Sequence, residues 1–112
     1  MADGFIKKAY IALFDLLDKE YDKTSDNELG RLLSDMNPNT FVGDMSADSA
    51  CYEDFCDFGK EYQKDDVLSA YSASMKFLKM YQDEFGFNIG KFIDTISFEK
   101  YKECFEKANI DS

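Results

Sequence analysis

AYIALFDLLDKEYDKTSDNELGRLLSDM, residues 9–36, returns in altered form as AYSASMKFLKMYQDEFGFNIGKFIDTI, residues 70–96. With one extra residue in the first copy at Glu20, Ala9 pairs with Ala70, Tyr10 with Tyr71, Ala12 with Ala73, Leu17 with Leu78, Tyr21 with Tyr81 and Gly30 with Gly90. Apolar character persists where identity does not. Phe14 meets Met75, Leu16 meets Phe77, Leu29 meets Ile89, and Leu32, Leu33 and Met36 meet Phe92, Ile93 and Ile96. A repeat of this kind implies a supersecondary unit used twice. The spacing within it is helical, so the expected fold is all-α, a single bundle of five to six helices over 1–112 that divides into two tandem three-helix units.

In the first unit, Ile6, Ala9, Tyr10, Leu13, Leu17 and Tyr21 recur at steps of three and four and make one buried stripe, with Asp3 as a candidate cap. Phe14 and Leu16 widen it, which suits a helix with more than one neighbour. The stripe breaks at Lys23 and Thr24. Ser25 followed by Glu28 has the spacing of a capping box for a second, shorter helix, with Leu29, Leu32, Leu33 and Met36 inside and Asn37-Pro38 as its stop. Gly30 within that helix, like Gly90 in the second, costs about 1 kcal/mol against Ala. Close approach of a ring, Tyr21 or Tyr81, accounts for it.

NPNTFVGDMSA, residues 37–47, lacks helical period and has no counterpart in the second unit. Ser46 or Asp48 then caps a third helix whose inner positions are Cys51 or Tyr52, Phe55, Phe58 or Gly59, and Tyr62. Asp65 or Asp66 caps the fourth, with Val67, Tyr71, Met75, Leu78 and Phe85 inside and Gly86 at its end. A short helix follows from Asn88. Ser97 caps the last, whose stripe is Phe98, Tyr101, Cys104 or Phe105, and Ala108. A fainter echo links residues 51–58 to residues 100–107.

At 112 residues the chain can bury a core without disulfides or metal. Aromatic side chains, 16% of residues and none of them Trp, must fill much of that core. The net charge of −10 opposes contact with nucleic-acid backbone or anionic membrane and favours a basic partner. No apolar run approaches the roughly 20 residues of a membrane span. The opening MADGFIKKAY lacks the order of a signal peptide, so the cytoplasm is the expected location. Cys51, Cys56 and Cys104 follow no metal or redox spacing and are read as reduced, apolar packing groups. Histidine is absent, which removes imidazole base catalysis and most zinc chemistry. The oxygen-rich DKTSDNE, residues 22–28, lacks the alternating acids and mid-loop glycine of a calcium loop. No catalytic residue, metal or cofactor is expected.

Between Arg31 and Lys60 stand six acids, Asp35, Asp44, Asp48, Glu53, Asp54 and Asp57, and no base. Solvated helix starts explain single acids among them. The coincidence of that bias with a long segment bearing Phe41, Val42 and Met45 suggests an interface of apolar anchors and charged rim. The candidate partner-binding set is Phe41, Asp44, Met45, Asp48, Tyr52, Glu53 and Asp54.

The same residues resemble a family of short, acidic helical proteins of Gram-positive gut bacteria. The shared features are Tyr21, the Thr24-Ser25-Asp26 turn, Gly30-Arg31-Leu32-Leu33, Asp35-Met36, Asp44, Ala47-Asp48 and Tyr52-Glu53-Asp54-Phe55. They cover about half of the chain. Where the family pattern has tryptophan and proline, this chain has Tyr52, Phe55 and Ser49, which marks it as divergent. The family resembles in turn the immunity proteins of contact-dependent and related polymorphic toxin systems. The resemblance implies a non-catalytic cytosolic protein that neutralises a toxin domain, expected to be basic, by direct contact. The alternatives are a small carboxylate and tyrosine enzyme, a metal-binding protein, or a self-associating regulatory module.

Overall fold

Six helices make up the chain in the computed structural model, which describes residues 1–36 and 49–108. They are α1 (Asp3–Thr24), α2 (Asn27–Met36), α3 (Ser49–Gly59), α4 (Val67–Phe85), α5 (Gly90–Thr95) and α6 (Phe98–Lys107). No strand occurs among the described residues, whose six helices form an all-α bundle. The long, short, medium order appears twice, at 22, 10 and 11 residues and then at 19, 6 and 10. No helix of the described residues is long and apolar enough to cross a membrane.

The helix boundaries show which side chains meet the backbone's unpaired amides. Asp66 accepts a hydrogen bond from the Ser69 amide at 2.8 Å and caps α4, and Ser97 accepts from the Lys100 amide at 3.2 Å and caps α6. Gly86 ends α4 at φ +74°, in the left-handed region that suits glycine. Two expected caps differ. Asp3 is the first residue of α1, and Ala2, which has no side-chain acceptor, holds the cap position. The Ser25–Glu28 capping box does not form. Ser25 adopts φ +52° and closes α1 by donating its amide to Tyr21 O at 2.7 Å. Asp26, one residue later, caps α2 by accepting from the Glu28 and Leu29 amides at 3.0 and 3.1 Å. Those two amides, with Leu29 first, and the Lys91 ammonium at 3.1 Å hold the Asp26 carboxyl below the usual range.

The glycines differ between the units. A Cβ on Gly30 would lie 2.8 Å from Tyr21 Cε1, so a tyrosine ring does rest on the bare backbone there. Gly90 is the first residue of α5, not an interior one, and its neighbour is Gln82 Oε1 at 2.8 Å. Tyr81, the other expected ring, is turned inward.

Packing relates the two units by exchange. The first helix of each unit is covered most extensively by the third helix of the other: α1 by α6, and α4 by α3. The echo between residues 51–58 and 100–107 makes Tyr52 the counterpart of Tyr101. Tyr52 lies 5.2 Å from Tyr10, and Tyr101 lies 5.9 Å from Tyr71, between ring centroids. Tyr10 also meets Phe55 and Phe77 edge-on, at 5.4 and 6.3 Å, so rings from α1, α3 and α4 join in one cluster. Two buried tyrosine hydroxyls find backbone carbonyls, Tyr10 donating to Met36 O and Tyr101 to Ala9 O, both at 2.8 Å.

Candidate functional site: the acidic end of α3 and α4

Helix α3 sorts its residues by period. Cys51, Phe55 and Gly59 recur every four residues and are buried, with Ile6 lying against Gly59. Glu53 and Asp57, also four apart, are exposed on one outward face. Asp54 points sideways to α4. There Tyr81, one turn before the helix end, donates its hydroxyl to Asp54 Oδ2 at 2.9 Å, and Cys51 Sγ lies 3.3 Å from the Tyr81 hydroxyl oxygen. Burial, then these two partners, push the Tyr81 hydroxyl far above the ordinary tyrosine range. Its proton therefore stays in place near neutral pH, and the group fixes α3 against α4 instead of exchanging protons.

The predicted partner-binding residues separate accordingly. Phe41, Asp44, Met45 and Asp48 lie outside the described residues. Tyr52 is half-buried and packs edge-on against Tyr10, Glu53 is exposed, and Asp54 is half-buried beneath Tyr81. Helix α4 brings further residues to this end that sequence reading did not include. Phe85, expected in the core, is 55% exposed, its ring tilted by 54° to that of Tyr81 at a centroid distance of 4.7 Å. It is the last residue of α4, just before the chain leaves through Gly86. Asp83 and Glu84 in the same last turn are exposed, and no base accompanies them. Carboxylates at a helix C-terminus oppose the backbone dipole. The signal available in the sequence was the run Asp83-Glu84-Phe85-Gly86 itself, an aromatic after two acids at a helix stop.

A concavity of about 170 Å³ lies between α1 and α6, lined by Leu16, Lys19, Glu20, Lys23, Lys100, Glu103 and Cys104. Lys19 Nζ donates toward Cys104 Sγ at 3.8 Å. Burial nonetheless raises the Cys104 thiol, so it stays protonated and poorly nucleophilic near neutral pH. None of the three cysteines is joined in a disulfide. Among the described residues no three histidine, cysteine or acidic side chains are placed to hold a metal ion.

Comparison with protein-family models, with curated proteins and with solved structures gave no match.

Proposed function

We propose that the chain is a non-catalytic protein-binding module, most concretely a cytosolic immunity protein that neutralises a basic toxin domain by direct contact. The observation that carries this reading is the concentration of negative charge at the α3 and α4 end. Glu53 and Asp57 face solvent on α3, Asp83 and Glu84 face solvent on α4, and the α3 residues lie within the base-free run from Arg31 to Lys60. None of the four is paired in an ion pair among the described residues. An excess of exposed acid on these helices, carried by a chain of net charge −10, would steer a cationic protein into contact and occupy the ground where that protein meets a phosphate backbone. Tyr81, through Asp54, holds the two helices that carry these acids in fixed relation.

The experiment begins with the open reading frame next to this one, expressed alone and with this chain. Growth arrest by the neighbour's product, relieved by co-expression, is the expected result; a harmless neighbour, or arrest without relief, overturns the immunity reading. With the purified pair, Glu53→Lys and Asp57→Lys together should slow association at low salt by about tenfold or more and flatten its salt dependence. Unaltered association would remove this surface from the interface.

A further inference from the structure

We infer that the concavity between α1 and α6 is a binding site for a phenol ring. This site stands apart from the acidic α3 and α4 end and does not depend on the protein-binding reading. What points to a ring is the way the chain fills the corresponding contact between α4 and α3. Three rings lie together there, Phe55 5.5 Å from Phe77 and Phe77 4.6 Å from Tyr81, between centroids. Tyr81 follows Phe77 by four residues, and its hydroxyl donates to Asp54 at 2.9 Å. In the α1 and α6 contact the repeat puts Leu16 at the place of Phe77, and the echo of residues 51–58 in 100–107 puts Cys104 at that of Phe55 and Glu103 at that of Asp54. Four residues after Leu16 stands Glu20, the extra residue of the first copy. It carries the tyrosine of that copy, Tyr21, about 100° further round the helix, where the ring rests on Gly30. Each of the three ring positions therefore holds a residue without a ring, and Leu16, Glu20 and Cys104, with Glu103, line the concavity.

Size and lining define the occupant. A cavity of about 150 Å³ takes up one benzene ring, and this one measures about 170 Å³. Leu16 and Cys104, both buried, give it an apolar floor. Its rim carries both signs, Glu20 and Glu103 beside Lys19 and Lys100. A carboxylate ligand would be opposed by the two glutamates and an ammonium ligand by the lysines, whereas a neutral hydroxyl donates to a carboxylate and accepts from an ammonium. On a single ring that group is a phenol. The chain makes the same pair internally with Tyr81 and Asp54, and Glu103 is the matching acceptor at the concavity. Lys19 Nζ has the Cys104 thiol at 3.8 Å, a weaker acceptor than a phenol oxygen would be. Glu20, its side chain 13% exposed, is held at the rim by Lys23 at 3.8 Å.

The test titrates the full chain, followed by amide NMR, with p-cresol, which is the tyrosine side chain as a free molecule, and with toluene, the same ring without the hydroxyl. p-Cresol should give saturable shifts at residues 16–23 and 100–104 and bind about two- to tenfold more tightly than toluene, the span of one hydrogen bond. Glu103→Ala, at a side chain 66% exposed and so harmless to the fold, should erase that preference. Glu20→Tyr, which returns a ring to the helical phase of Tyr81, should abolish p-cresol binding and raise Tm by filling the concavity. The peptide acetyl-Gly-Tyr-Gly-amide separates two sources of the phenol: shifts at the same residues assign the site to a partner's tyrosine, and binding of p-cresol alone assigns it to a small molecule. No saturable shift on α1 and α6, equal affinity for p-cresol and toluene, or undiminished p-cresol binding by a folded Glu20→Tyr would overturn the inference.

Discussion

Tyr10→Phe and Tyr101→Phe remove the same atom from corresponding depths of the two units, yet the first should cost clearly more stability. Both hydroxyls are buried and donate to a carbonyl at 2.8 Å. Their acceptors differ. Ala9 lies inside α1, where its oxygen also accepts the amide four residues on, so deleting the Tyr101 hydroxyl leaves it with a partner. Met36 is the last residue of α2, and its oxygen is one of the carbonyls that a helix end leaves without an intrahelical donor. Loss of one partner from a satisfied pair costs about 0.5–1.5 kcal/mol, whereas a buried acceptor that loses its one donor among the described residues costs about 1–3 kcal/mol. A difference of about 1 kcal/mol between the variants is therefore expected, or roughly 4 °C in Tm for a chain of this size. Urea unfolding followed by far-ultraviolet circular dichroism measures it, with unchanged slope confirming that only stability has moved. Equal losses, or a larger loss in Tyr101→Phe, would refute the assignment of the Tyr10 hydroxyl as the cap of α2.

Ser25 occupies the left-handed region at φ +52°, so Ser25→Gly should raise stability by roughly 1 kcal/mol in the same assay. Gly30→Ala should lower Tm because its Cβ meets the Tyr21 ring at 2.8 Å; Gly90→Ala should not, because the atom it meets is the mobile end of Gln82. Asp26 titrates below its unfolded value, so its stabilisation is complete above about pH 4 and lost as pH falls through the lower native value. Replacement by Ala should lower Tm at pH 6 and make the decline between about pH 4 and pH 2 shallower than in the wild type, as a thermal melt at each pH would show.

The bundle was legible because a helix stripe needs only residue spacing, and Leu29, Leu32, Leu33 and Met36 lie buried as that spacing required. Spacing reports which face a helix buries, however, and not how far its neighbour extends. Phe85 continues the α4 period, but the chain turns away at Gly86 and leaves the ring in solvent. The Ser25 pattern failed for a related reason. Both ends of a two-residue connection compete for it, and closing α1 took Ser25 into the left-handed conformation, which passed the capping of α2 to Asp26. At the candidate site, Glu53 was readable as an outward acid. The inward turn of Tyr81 onto Asp54 was not, because it depends on α3 lying across α4, a long-range pairing that no local pattern encodes.

That pairing has a bearing on how the chain can exist at all. Since each long helix finds its principal cover in the opposite half, neither half standing alone could conceal its own longest stripe of rings and aliphatics. The arrangement is that of two protomers trading an arm, joined end to end by the segment between α3 and α4. Nicked in that joint, the pieces would still have to clasp each other to stay folded, and the acidic tip where the traded arm meets its host would be made or lost with the clasp.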